Sequence, residues 1–150
     1  MVIAVFIILF GVNFNLYYYM LIRKFSLAYK NEELRTYLGI IATATLLIGL
    51  NVMKLYDNFG EALRHSFFMT ASTITSTGFA TVDTASWPVF SQTLMLLLMF
   101  VGACAGSTGG GMKVSRIIIL VKTGFRELKY IVNPRAVTTV KMDGNPVERD

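Results

Sequence analysis

Cysteine and histidine are almost missing from this chain: 150 residues hold one of each, Cys104 and His65. A single thiol cannot build a disulfide framework, and Cys104 sits in an apolar stretch with no metal-ligand companions. The role left to it is a packed core residue. The apolar regions also lack a pair of carboxylates, a nucleophile beside a base, or a metal cluster, which argues against an enzyme. Charge is scarce too: 15% of residues are charged and 54% hydrophobic, with mean hydropathy +0.56, against about 25% charged in an ordinary soluble domain. The chain is expected to be an all-α integral membrane protein.

What is present is a set of apolar runs. Residues 2–22, 37–53 and 89–121 are long and nearly free of charge, each near or above the ~20 residues that a spanning helix needs. The first run resembles a signal peptide only superficially, since its basic residues follow the apolar stretch and no small-residue cleavage site appears. It is expected to be one retained helix, with Tyr17-Tyr18-Tyr19 as an interfacial aromatic belt. Residues 62–74 differ, because ~13 residues make only ~20 Å of helix, about half-way through a ~30 Å hydrocarbon layer. This is the signature of a re-entrant pore helix.

The basic residues give an orientation. Arg23, Lys24, Lys30 and Arg35 follow the first run, and Lys113, Arg116, Lys122, Arg126, Lys129 and Arg135 crowd the end of the last. The segments flanking residues 62–80 carry only Lys54 and Arg64, with Asp57, Glu61 and Asp83. Lys and Arg near helix ends favour the cytoplasmic side, so residues 23–35 and 127–150 are expected in the cytoplasm of a multi-pass protein of the inner membrane. That asymmetry explains the net charge of +5. A nucleic-acid partner is not expected, because no soluble basic domain with interleaved aromatics is present.

Directly after the short helix stands Thr75-Ser76-Thr77-Gly78-Phe79-Ala80, ahead of an apolar run that opens at Trp87-Pro88. This is the layout of an ion-channel pore loop. A potassium ion crossing a bilayer exchanges its water shell for oxygen ligands, and a strand of small residues can turn backbone carbonyls toward one axis. The carbonyls of Thr75, Ser76, Thr77 and Gly78 are the expected ligands, with Ser76, Thr77 and Gly78 at the centre. Glycine adds no side chain beside the path and reaches backbone angles closed to other residues, while Phe79 is expected to point away and brace the loop. Against the potassium-channel string Thr-Val-Gly-Tyr-Gly the stretch keeps the first glycine and has Ala80 in place of the second. The site is expected to be shorter and less discriminating.

The last apolar run is interrupted by Gly102-Ala103-Cys104-Ala105-Gly106-Ser107-Thr108-Gly109-Gly110-Gly111-Met112-Lys113. Each glycine costs a helix interior roughly 1 kcal/mol against alanine. A straight helix from Pro88 to Lys122 would measure ~52 Å, so a break is needed, and it falls ~24 Å from Pro88 at the same rise, below the filter. Ser107, Thr108 and the freed backbone groups are expected to face an aqueous cavity, since lipid cannot satisfy them. Residues Ala105, Gly106, Ser107, Thr108, Gly109, Gly110 and Gly111 are the candidate gate. Two other readings exist. Gly106 and Gly111 have the separation of a phosphate-binding loop, but Met112 stands where lysine is required and no strand precedes it. Alternatively the small residues form a close-packing seam between helices, which is compatible with a gate.

Among the remaining polar residues, His65 with Arg64 fits an interfacial role better than a proton relay. Asn13 and Asn15 fit interhelical hydrogen bonding better than ion ligation. Lys113 and Arg116 are expected to be inside-facing anchors, the other reading being positive charge that tunes the inner mouth.

Several strings together carry a family resemblance. Phe67-Phe68-Met69-Thr70-Ala71-Ser72 leading into Thr77-Gly78-Phe79, the run 104–113, Gly11-Val12-Asn13-Phe14 and Asn133-Pro134-Arg135-Ala136-Val137 resemble the membrane subunit of the Trk/Ktr/HKT potassium transporters, TrkH type. The resemblance implies four helix–pore loop–helix repeats around one pore, each with a filter strand and central glycine. Here it implies the end of the second repeat over 1–22, a cytoplasmic loop over 23–35, and the third repeat over 36–126. Within that repeat the first helix takes 36–53, the pore helix 62–74, the filter 75–80, the first half of the second helix 88–102, the gating intramembrane loop 103–111 and the second half 112–126. A linker follows over 127–150. The resemblance also implies a homodimer, a cytosolic nucleotide-binding regulatory subunit and potassium as the ion, with no organic cofactor. One filter strand cannot encircle an ion, so either four such chains assemble as a small homotetrameric cation channel or this is a piece that works with the remaining repeats of a longer parent. The second is the expectation. A non-conducting structural membrane subunit is the reading from another class.

Overall fold

The computed structural model describes residues 1–132 together with 141–142 and 145–146. Its described residues form seven α-helices: α1 Val2–Phe10, α2 Phe14–Leu21, α3 Phe25–Lys30, α4 Glu32–Val52, α5 Phe59–Ile74, α6 Val89–Val101 and α7 Val114–Val132. Short 3-10 turns at Met53–Leu55 and Thr84–Ser86 follow α4 and precede α6. The only strands among the described residues are β1 Lys141–Met142 and β2 Asn145–Pro146, an antiparallel pair of two residues each. The fold is thus all-α, as the sequence implies. The linker expected over 127–150 begins inside α7, and residues 133–140, 143–144 and 147–150 lie outside the described residues.

The central element is α4. Asn31 caps it by accepting the Leu34 N–H at 2.9 Å, and Glu32 and Glu33 in the first turn face the positive end of the helix dipole. The expected start at residue 36 is therefore one turn late, and the loop drawn over 23–35 contains α3 and this first turn. With its trailing 3-10 turn the element covers 24 residues, Glu32–Leu55, and is the one described helix long and apolar enough to cross a membrane by itself.

The single helix expected over 1–22 is instead two helices, α1 and α2, bent by 96°. The cause is local and tertiary at once. Asn13 is extended and its side chain accepts the Asn15 N–H at 2.9 Å, which starts a new helix. Gly11 packs so tightly that an added Cβ would lie 2.1 Å from Tyr37 Oη. Tyr37 is fully buried and donates to the Ile8 carbonyl at 3.3 Å, so its side chain, reaching over from α4, is wedged into the break. Asn13 therefore caps a helix where the sequence suggested a bond between helices.

Helix α5 packs along α4 and α1. Gly49 of α4 faces Leu63 of α5, where a Cβ would lie 3.3 Å from Leu63 Cδ1 and 3.7 Å from the Leu63 Cα. Its C-terminal half, Phe68 to Ser72 and Ile74, is buried, whereas Phe59 and Gly60 at its start are exposed. The pore helix drawn at 62–74 gains three residues at its N-terminus. His65 stacks on Tyr56 with ring centroids 5.3 Å apart, and its Nδ1 lies 3.2 Å from Thr81 Oγ1. Trp87 Nε1 donates to the same Tyr56 at 3.3 Å, so this polar cluster ties the chain leaving the filter region to the start of α5. Ser91 of α6 donates to Asn51 Oδ1 of α4 at 2.8 Å. On the outer faces of α1 and α6, Val2, Phe6, Phe90, Leu96, Leu97 and Phe100 are exposed, apolar surface that suits lipid or further helices.

Candidate functional site

The end of α5 sets the backbone of residues 75–78. Ser76 takes φ 56°, its N–H donates to Thr73 at 3.1 Å, and the Thr77 N–H reaches back to Ser72 at 2.9 Å. These are the two bonds of a Schellman ending, with serine where glycine is usual. The left-handed conformation turns the chain sharply out of the helix and directs it across the helix end.

Side chains then fix the turn. Thr75 Oγ1 lies 2.7 Å from the Ala71 carbonyl and 2.7 Å from Thr77 Oγ1. Since Thr75 has one hydroxyl proton and spends it on Ala71, Thr77 donates to Thr75. Both hydroxyls are thereby occupied within the loop. Gly78 follows at φ 81°, and a Cβ there would meet no atom within 4 Å. Glycine is required at this position by backbone angle, and the space beside it is open. Ser76, Thr77, Gly78 and Phe79 are exposed in this chain. Phe79 is 64% exposed, so the brace expected of it is not made by this chain.

Below this turn lies the glycine-rich segment. Helix α6 stops at Gly102, whose φ 73° and ψ −168° belong to a region essentially reserved for glycine. A closed neck follows: Ala103 N–H donates to Gly110 at 3.3 Å, Met112 N–H to Phe100 at 3.0 Å and Val114 N–H to Ala103 at 3.0 Å. Residues 104–109 bulge from that neck, and the Gly110 N–H reaches up to the Thr75 carbonyl at 3.4 Å. The loop thus stands directly against the first residue of the candidate filter. Glycine is needed at both positions that face this turn, since a Cβ on Gly109 would sit 2.4 Å from the Ala103 Cβ and one on Gly110 2.9 Å from Ser76 Oγ.

Several of the freed backbone groups are bonded to protein, while Gly106, Thr108, Gly110 and Gly111 are exposed in this chain. The break between α1 and α2 supplies two rungs, Cys104 N–H to Gly11 O at 3.0 Å and Phe14 N–H to Gly106 O at 3.2 Å. Ser107 donates to the Cys104 carbonyl at 2.6 Å and Thr108 to the Phe10 carbonyl at 3.3 Å. Lys113, read from sequence as an anchor, folds back so that its Nζ donates to the Gly109 carbonyl. Cys104 itself is fully buried and unpaired, and no cluster of metal-ligating side chains occurs among the described residues.

Sequence reasoning missed one contributor. Glu33 is 3% exposed, and its Oε1 accepts the N–H of Ala105 at 2.6 Å and of Ser115 at 3.1 Å. Asn31-Glu32-Glu33 before an apolar run is a helix-start pattern, which could have located the residue but not partners 72 and 82 positions away.

Comparison with known proteins gives the chain a family. The model of the TrkH family, described as cation transport protein, matches residues 34–150. The chain belongs to the TrkH family. Among its relatives, the chain shares 38% identity over 144 residues with the Trk system potassium uptake protein TrkH of Salmonella typhimurium, covering 94% of this chain and 30% of the relative. It shares 44% over 123 residues with the protein of that name from Vibrio parahaemolyticus, covering 78% and 24%. The crystal structure of the potassium transporter TrkH from Vibrio parahaemolyticus superposes with a TM-score of 0.85 at 37% identity, over 96% of this chain and 32% of that one. The chain therefore spans between about a quarter and a third of the length of these relatives, and the membrane setting read from its composition is that of the family.

Proposed function

We propose that this chain is one pore-forming repeat of a TrkH-type potassium uptake protein, with the filter at Thr75, Ser76, Thr77, Gly78 and Phe79 and the gate at residues 105–111. The observation that carries the reading is the Gly110 N–H on the Thr75 carbonyl. An ion leaving the filter on that side must pass the oxygen that the loop occupies. With the loop in this position the lowest carbonyl of the filter is engaged by an amide, and withdrawal of the loop frees it for a dehydrated cation.

Permeation is passive in this account. The carbonyls of 75–78 replace the hydration shell, and the C-terminal end of α5 carries the negative pole of its dipole toward a cation. The Thr75 and Thr77 hydroxyls, spent on each other and on Ala71, hold the strand in place. The remaining repeats of the parent protein close the ring, and the parent's homodimer and cytosolic nucleotide-binding regulatory subunit are the partners proposed for it. Residues 23–35 and the basic end of α7 face the cytoplasm of the inner membrane, and potassium is the ion carried.

The test is loop shortening. In a full-length protein carrying this sequence, deletion of 105–110 is expected to raise rubidium uptake per inserted protein several-fold while leaving the preference for potassium over sodium near its original value. Uptake and regulation that both stay unchanged remove the gate from this segment.

A further inference from the structure

Glu33 is the one acidic side chain in the buried core of the described residues, and nothing in the permeation path uses it. A carboxylate withdrawn from water is costly unless its lone pairs are filled. Here one oxygen takes two backbone donors that the helix break leaves open. The Ala105 N–H belongs to the first part of the loop, and the Ser115 N–H belongs to the first turn of α7, where helix donors lack partners and negative charge is favoured. The adjacent Glu32 pairs with Lys122 of α7. Two consecutive carboxylates at the start of α4 therefore hold the loop and the helix that follows it.

We propose that Glu33 is the positioning residue that latches the loop in its closed position, by tying Ala105 and the N-terminus of α7 to a single oxygen on α4. The proposal rests on the gate reading of 105–111. Drawing α7 away from α4 strains both bonds at that oxygen, so motion of α7 is passed to the loop. An apolar residue of the same size would fill the space and hold neither donor.

The experiment compares Glu33→Gln, Glu33→Asp and Glu33→Ala with the loop-shortened form, all in the full-length protein in liposomes, reading rubidium uptake per inserted protein without the regulatory subunit and the potassium-to-sodium ratio. Loss of hydrogen bonds to a charged acceptor is expected to raise uptake about tenfold in Glu33→Ala. Glu33→Asp, which withdraws the oxygen by one methylene, should rise part of the way. Glu33→Gln keeps an oxygen in the same place and should stay near the parent. The ion ratio should hold in all three, which separates a latch from general damage to the pore. If Glu33→Ala fails to insert, the Asp and Gln forms decide: Asp above Gln supports the latch, and equal uptake overturns it. Parent-level uptake in the Ala or Asp forms beside a raised loop-shortened form overturns the latch alone, whereas no rise in any form overturns the gate reading with it.

Discussion

Gly78→Ser is expected to lower the potassium-to-sodium uptake ratio of the full-length protein about tenfold. The backbone at Gly78 has φ 81°, and an L-residue held there loses roughly 1–2 kcal/mol per residue, where 1.4 kcal/mol corresponds to a factor of ten. The added Cβ meets nothing within 4 Å, so the substitution is not rejected by packing and the protein should still insert. The strain is relieved instead by rotation of the backbone, which moves the carbonyls of Thr77 and Gly78 that the ion needs. Ser76 at φ 56° is no counterexample, because the two bonds of the helix ending hold it in that conformation. Gly78 has no such restraint. Uptake ratios measured with rubidium in competing potassium or sodium check this, and an unchanged ratio removes Gly78 from the filter.

The second large effect is expected at Gly102. Its φ and ψ are closed to other residues, and a Cβ would lie 2.4 Å from the Gly110 carbonyl oxygen and 2.7 Å from the Gly111 Cα. Both are backbone atoms on the far side of the neck, so relief requires the neck to part. Gly102→Ala should therefore break the bonds between 103 and 110 and between 100 and 112, costing about 3 kcal/mol or more by the usual scale of overpacking and backbone strain together. Thermal unfolding in detergent should move down by several degrees and regulator-free rubidium uptake should rise, since the loop loses the base that presses Gly110 onto Thr75. Parent values of both quantities would show that the neck does not position the loop.

The fold was legible where the signal is local. The charge-poor runs located α4, α5 and α6 within a few residues, Pro88 marked the start of α6, and the glycines at 102, 106 and 109–111 marked the break before α7. Features that depend on distant partners were hidden. The bend at Gly11 needs Tyr37 packed against it, and the apolar run around it looks continuous when read along the chain. Asn13 carried a capping signal that the surrounding hydrophobicity outweighed. Glu33 falls in the stretch drawn as a cytoplasmic loop, and nothing near it in sequence points to its donors, Ala105 and Ser115. The partners of Ser107 and Thr108 were hidden for the same reason: the carbonyls that receive their hydroxyls belong to Cys104 and Phe10.

The central claim, that an ion occupies the turn after α5, is tested most directly by Thr77→Cys in the full-length protein. Cys104 is fully buried, so the introduced thiol is the reactive one. A charged, water-soluble thiol reagent is expected to modify it, with the rate falling as potassium is raised and unaffected by the same concentration of sodium. A thiol that stays unreacted, or reacts at a rate independent of potassium, contradicts the account.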